Sequence, residues 1–230
     1  MLTPLEVEAL QLSLLVGVTS IIAALPFAIA CAWLLARRDF WGKGLFDGIV
    51  HLPLVLPPVA VGFALLVLFG RNGIIGAFLY KTLGVTFAFN WKGAALASAV
   101  MAFPLMVRAM RLSMEAVDQR LEAAARSLGA RPWRVFATVT LPLAVPGIIA
   151  GAILGFARSV GEFGATITFV SNIPGQTRTL PVALYTLTQI PGSDAPAWRL
   201  AGLSVALALA ALILSEMIAR RMGHRLRGLD

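Results

Sequence analysis

The stretch LEAAARSLGARPWRVFATVTLPL, residues 121–143, stands in the middle of a 230-residue chain made mostly of apolar runs. Arg120 precedes it, and Arg126, Arg131 and Arg134 lie within it. From Met114 onward, Met114, Val117, Leu121, Ala124 or Ala125, and Leu128 recur at the spacing of one helical stripe, which predicts an amphipathic helix. Glu115, Asp118 and Glu122 fall early and Arg126 late, as the helix dipole favours. Glu122 and Arg126 are spaced as an i,i+4 pair. Gly129 suits the left-handed residue that ends a helix. Pro132 fits the first turn of a second helix, which rises through WRVFATVTLPL.

What surrounds this stretch decides where it lies. The chain is 59% hydrophobic and 13% charged, more apolar surface than a soluble domain of this size can hide. The expected fold is an all-α membrane protein, one transmembrane domain over residues 1–230. A bilayer crossing needs about 20 apolar residues, and five such runs occur, near 10–35, 49–69, 93–111, 141–159 and 200–219. Pro26 interrupts the first run; Pro53, Pro57 and Pro58 interrupt the second. Such breaks are tolerated where neighbouring helices or water satisfy the freed carbonyls. The first run is read as a retained helix rather than a secretory leader. It is too long, Glu6 and Glu8 precede it without a lysine or arginine, and Arg37 and Arg38 follow it like a stop. Cys31, the only cysteine, lies in this run and reads as a buried thiol. The few residues beyond the last run predict no further folded domain there.

The net charge of +8 gathers at the ends of the apolar runs, so no nucleic-acid partner is expected. Arg37, Arg38 and Lys43, then Arg108, Arg111, Arg120, Arg126, Arg131 and Arg134, then Arg220, Arg221, Arg225 and Arg227 fall on one side of the predicted membrane. Arg71, Lys81, Lys92, Arg178 and Arg199 fall on the other. The larger set marks the cytoplasm, which predicts the N-terminus outside and the C-terminus inside. The stretch at 121–143 is then cytoplasmic, with two readings open. Its helix rests on anionic lipid, or it docks on a cytoplasmic partner, with Ala123–Ala125 as a small face for close approach.

Two constellations lie in and after the fourth run. Gly147, Gly151, Gly155 and Ser159 repeat every fourth residue and predict a ridge for close helix packing. Arg158 and Glu162 are also four apart, and ionisable residues near the bilayer core are costly. They form an ion pair that fixes the helix, or they border an aqueous path together with Ser159, Thr166 and Thr168. Gly161 and Gly164 loosen the helix there.

Catalysis has little to stand on. His51 and His224 share no ligand spacing with carboxylates or Cys31, and no nucleophile signature such as G-x-S-x-G occurs. No metal site or cofactor of its own is expected. The phosphate-cradling G-x-x-x-x-G-K-[ST] is likewise missing, so an ATP-driven role requires a separate ATPase. A secondary transporter would show matching halves, into which five spans do not divide.

With these residues in view, EAAARSLGA followed by RPWRVFATVTLP resembles the EAA loop of ABC importer permeases. Gly129, Leu141 and Pro142 stand at that pattern's separation, while its glutamate position falls on Ala123, with Glu122 one residue earlier. The resemblance implies a coupling loop over about 113–135 whose helix inserts into a groove on an ATPase, with Glu122, Ala123, Ala124, Gly129, Leu141 and Pro142 serving the coupling to that ATPase. HLPLVLPPVAVGF (51–63), FPLMVRAMRLSMEAVD (103–118), FARSVGEFGATITFVSNIPGQTRTLP (156–181) and ALYTLTQIPG (183–192) resemble the membrane subunits of molybdate ABC transporters over nearly the whole chain. Sulfate and thiosulfate permeases share the glycine–glutamate–aromatic–glycine part. The resemblance implies a type I importer in the bacterial inner membrane. It would contain two copies of this chain, two ATP-binding subunits that hold ATP and Mg, and an extracytoplasmic protein that captures molybdate and tungstate.

Overall fold

The computed structural model describes residues 3–227, apart from the side chains of residues 215, 216 and 218–227. The described residues form helices and loops only. In chain order the helices are α1 (Pro4–Arg37), α2 (Lys43–Val55), α3 (Pro58–Phe69), α4 (Ile74–Leu83), α5 (Trp91–Glu115), α6 (Gln119–Ser127) and α7 (Pro132–Val135). A π-helical turn over Phe136–Thr140 joins α7 to α8 (Leu141–Val160), and α9 (Gly164–Val170), α10 (Leu180–Thr188) and α11 (Asp194–Arg227) follow.

Among the described residues, four helical stretches are long and apolar enough to cross a bilayer: α1, α5, the continuous Pro132–Val160 and the Asp194–Leu214 part of α11. The run predicted as a single second span is instead two helices, α2 and α3, bent by 112°. Proline is the cause. A residue before proline is pushed out of the helical region, and both Leu56 (ψ 144°) and Pro57 (ψ 131°) are extended. Pro58 then opens α3, where its missing N–H costs nothing. The short helices α4, α9 and α10 fall outside the five predicted spans. The basic side chains at 220, 221, 225 and 227, which mark the predicted cytoplasmic end, and that of His224 lie outside the described residues.

Small residues bring the central helices together. Ala24, Ala28 and Ala32 of α1 are buried with Met106, Met110 and Met114 of α5 and with Ala144 and Ile148 of α8. Gly147, Gly151 and Gly155 face α5: a Cβ on Gly151 would lie 3.1 Å from the Met106 carbonyl, and one on Gly147 would strike the Ser113 side chain. A second cluster joins α1, α3, α5 and α9 around Phe169 and Val170. The outer surface stays greasy, with Val205, Leu209 and Ile213 of α11 and Val59, Phe63 and Val67 of α3 exposed. Exposed apolar faces suit a hydrocarbon solvent or a neighbouring subunit.

At the far end of the bundle α1 begins with a capping box. Thr3 N–H donates to Glu6 Oε2 (2.7 Å), and Glu6 N–H donates to Thr3 Oγ1 (3.4 Å). The other oxygen of Glu6 accepts from Arg199 Nε of α11 at 2.8 Å, so this buried carboxylate ties the first helix to the last.

Candidate functional site

Two places gather the polar residues singled out above: the α5–α8 hairpin at one end of the bundle and the α8–α9 junction near the other.

In the hairpin, α5 stops at Glu115 and the chain runs through Ala116–Asp118 before α6 begins. The continuous helix expected from Met114 is therefore broken. Asp118 is the reason: its carboxylate accepts from Arg120 N–H at 2.9 Å, an N-cap that starts a new helix. The break changes which face is buried. Met114 and Val117 are buried as the stripe requires, but Leu121 is 50% and Leu128 88% exposed, while Glu122 is 7% exposed. Ala123 and Ala124 are exposed beside them.

The expected Glu122–Arg126 ion pair does not form. Glu122 Oε1 instead accepts from Arg37 Nε and from Thr140 Oγ1, both at 2.8 Å, while Arg126 Nε donates to the Glu122 backbone carbonyl at 3.1 Å. Arg37 also donates to the Val117 carbonyl at 2.9 Å. A side chain turned toward the bundle meets partners that local spacing does not reveal. Neither Arg37 nor Thr140 stood out in the sequence, where Arg37 counted only as a charge at a span end. A cavity of about 330 Å³, lined by Trp33, Arg37, Arg126, Phe136 and Thr140 among others, opens beside this network. On its rim, Lys43 at 2.9 Å holds the Asp39 carboxyl below the usual carboxylate range.

The turn after α6 has the expected form. Gly129 has φ +84°, Ala130 N–H reaches back to the Ala125 carbonyl at 3.1 Å, and Pro132 opens α7. The π turn then precedes Leu141 and Pro142. Leu141 N–H bonds the Phe136 carbonyl, five residues back. Proline cannot donate and its ring crowds the carbonyl four residues earlier, so the wider turn makes room for Pro142.

At the α8–α9 junction Arg158 Nη1 lies 2.7 Å from Glu162 Oε2, with the Glu162 side chain 1% exposed and that of Arg158 29%. The other Glu162 oxygen accepts Ala165 N–H at 2.9 Å and so pins the first turn of α9. Ser159 is buried and shares a 2.9 Å hydrogen bond with Ser20 of α1. Thr168 Oγ1 donates to the Gly164 carbonyl at 2.8 Å, and the Thr166 hydroxyl is buried without a partner among the described residues. Arg158, Ser159 and Glu162 thus share one junction, but Ser159 points at α1. Beyond it, Arg178 Nε donates to Asn172 Oδ1 (2.9 Å), whose amide in turn reaches Thr186 Oγ1 (2.9 Å). No local spacing in the sequence marks this brace. Among the described residues no group of three or more His, Cys, Asp or Glu is placed to hold a metal ion.

The family described as the binding-protein-dependent transport system inner membrane component matches residues 24–224. The chain belongs to this family. Within it, the chain is 61% identical over 219 residues to the molybdenum transport system permease protein ModB of Escherichia coli, covering 95% of this chain and 96% of that one. It is 57% identical over 222 residues to ModB of Haemophilus influenzae, covering 96% and 97%. The sulfate transport system permease protein CysW of Synechococcus elongatus is 35% identical over 223 residues, covering 96% of this chain and 76% of that one. Among solved structures, a bacterial alginate ABC transporter matches with a TM-score of 0.74 at 16% identity, covering 96% of this chain and 80% of that one. An inward-facing MetNI methionine ABC transporter matches with a TM-score of 0.68 at 18% identity, covering 94% of each. At that identity the two structures speak for the fold alone, that of a type I ABC importer permease.

Proposed function

We propose that this chain is the membrane-spanning subunit of an ATP-driven importer of molybdate and tungstate. The observation that carries the reading is the 61% identity to a molybdenum permease along almost the full length of both chains, against 35% for a sulfate permease. Two copies would enclose the path, with the N-terminus outside and the C-terminus in the cytoplasm. An extracytoplasmic protein delivers the anion, and two partner subunits bind and hydrolyse ATP with Mg.

In this reading α6 is the coupling helix. Its exposed Leu121 and Leu128, with the small, exposed Ala124 between them on the same stripe, form the face that enters a groove on the ATPase. Such a face fits helix-in-groove recognition. Gly129 turns the chain sharply behind it, and Leu141 and Pro142 begin the span that receives the motion. ATP binding draws the two ATPase subunits together and carries the coupling helices with them. The path runs past α8 and α9, where Arg158 and Thr168 are partly open. Ser159, Glu162 and Thr166 are buried behind them, and Glu162 holds Arg158 in place. Because Glu162 offsets the charge of Arg158, the path itself holds the dianion weakly, which favours passage over trapping. Selectivity then rests mainly with the binding protein.

The test is uptake of molybdate at low external concentration in cells lacking this gene, with and without the gene restored, and with sulfate in excess. Restored uptake that resists sulfate supports the proposal. Uptake suppressed by sulfate moves the chain to the sulfate group, and no restored uptake of either anion removes the substrate assignment altogether.

A further inference from the structure

The helix α6 buries one side chain, and it is a glutamate. Glu122 is the sole buried residue of Gln119–Ser127, and the apolar Leu121 and Leu128 face outward. The tie between α6 and the bundle is thus polar rather than packed, and the cavity beside it leaves apolar support thin on the α1 side. Both covalent connections of α6 are short breaks in the helical backbone. On one side lies the Ala116–Asp118 link, on the other the Gly129 turn. A push on α6 would be absorbed in these connections unless something braced the helix across them.

The brace is the network around Glu122. Arg37, the last residue of α1, donates from Nε to Glu122 Oε1 (2.8 Å) and from Nη2 to the Val117 carbonyl (2.9 Å), inside the α5–α6 link. Thr140, the last residue of the π turn and the neighbour of Leu141, donates to the same Glu122 oxygen (2.8 Å). The Arg37 and Glu122 side chains are 8% and 9% exposed, so water cannot readily replace these bonds. Charge-assisted hydrogen bonds of this length are short, strong and directional.

We propose that Arg37 and Thr140 are positioning residues of the coupling step. Together with Glu122 they join α6, the end of α1 and the start of α8 into one unit. A displacement of α6 then reaches two membrane spans instead of being lost at the breaks on either side of it. The π turn is the point of delivery, because its wider hydrogen bonding lets the start of α8 move without breaking the helix above it. This inference rests on the reading of α6 as the ATPase-docking helix.

The experiment uses the whole importer reconstituted in liposomes, with its ATPase subunits and binding protein, and measures ATP hydrolysed per molybdate moved alongside recovery of the ATPase on purification. In Thr140→Val, which keeps the shape and removes the donor, the ATPase still co-purifies and hydrolyses ATP. Molybdate moved per ATP falls about tenfold, the scale set by losing one hydrogen bond to a charged group. Thr140→Ser retains normal coupling, and Arg37→Gln uncouples at least as strongly as Thr140→Val. Normal coupling in Thr140→Val overturns the proposal whether or not Arg37→Gln assembles. Leu128→Glu separates the two readings. Loss of the ATPase in Leu128→Glu with normal coupling in Thr140→Val sinks the brace alone. Retention of a fully coupled ATPase in Leu128→Glu sinks the docking reading on which the brace depends.

Discussion

Replacing Arg158 by alanine strands the Glu162 carboxylate, whose side chain is 1% exposed, and the size of the penalty follows from what stays behind. Removing one member of a buried ion pair costs about 3–5 kcal/mol, because the remaining charge has neither partner nor water. Glu162 keeps its bond from Ala165 N–H, which places Arg158→Ala toward the lower end, about 3 kcal/mol. The reverse change is milder. With Glu162→Ala the guanidinium, already 29% exposed, can reach water, and the main loss is the acceptor for Ala165 N–H, about 1–2 kcal/mol. The double variant leaves no buried charge and should resemble Glu162→Ala. The cycle then yields a coupling energy of about 3 kcal/mol, the full penalty of Arg158→Ala and well above the few tenths expected of independent sites. Thermal unfolding of the four purified forms in detergent reads this directly. If Arg158→Ala were as stable as the double variant, the argument from a stranded carboxylate would be wrong. Uptake by the same four forms adds the functional half. A double variant that is stable and transports fully makes the pair a structural lock on α9, whereas one that is stable and silent places Arg158 on the path.

Three further outcomes are expected. A Cβ on Gly62 would lie 2.5 Å from the Ala165 carbonyl oxygen, a backbone atom that cannot move aside, so Gly62→Ala should destabilise by about 2 kcal/mol through overpacking. A Cβ on Gly155 would instead meet a side chain, with Met106 Cγ at 2.6 Å and its sulfur at 2.9 Å. A methionine side chain can shift where a backbone carbonyl cannot, so Gly155→Ala should destabilise less than Gly62→Ala; equal melting temperatures for the two variants would refute the distinction. Gly129→Val forces a β-branched residue to φ +84° and should leave the chain in the membrane while abolishing substrate-stimulated ATP hydrolysis, so normal stimulation would count against the coupling role. Glu6→Ala should cost about 1–3 kcal/mol because Glu6 is buried on Thr3 and Arg199. Glu8→Ala, at an exposed position, should change little, and comparable losses in unfolding assays would remove the argument for the α1–α11 tie.

The span pattern was legible because a bilayer demands long apolar helices whatever packs beside them, and each of the five predicted runs has a helical counterpart. The break in the second run was written in Pro57 and Pro58, but its 112° bend was not, since proline forbids a straight helix without choosing a new direction. The same limit governs the hairpin. Gly129 and Pro132 announce their conformations locally, whereas Glu122 offered two partners: Arg126, four residues on, and Arg37, 85 residues back. The distant one was taken because the Asp118 cap restarts the helix and turns Glu122 toward α1.

The three buried carboxylates of the described residues sharpen the point. Glu6, Glu122 and Glu162 each meet an arginine, namely Arg199, Arg37 and Arg158. The partner stands at a separation of 193 residues for Glu6 and 85 for Glu122, and only the i,i+4 pair of Glu162 could be read along the chain. That each would need a cation was predictable, because an unpaired carboxylate in so apolar a bundle is too costly to keep. Which cation it finds depends on how the helices cross. The physics therefore fixes the existence of these ties at the level of sequence and leaves their partners to the fold, which is why the brace across α6 emerges only once α1, α6 and the π turn stand side by side.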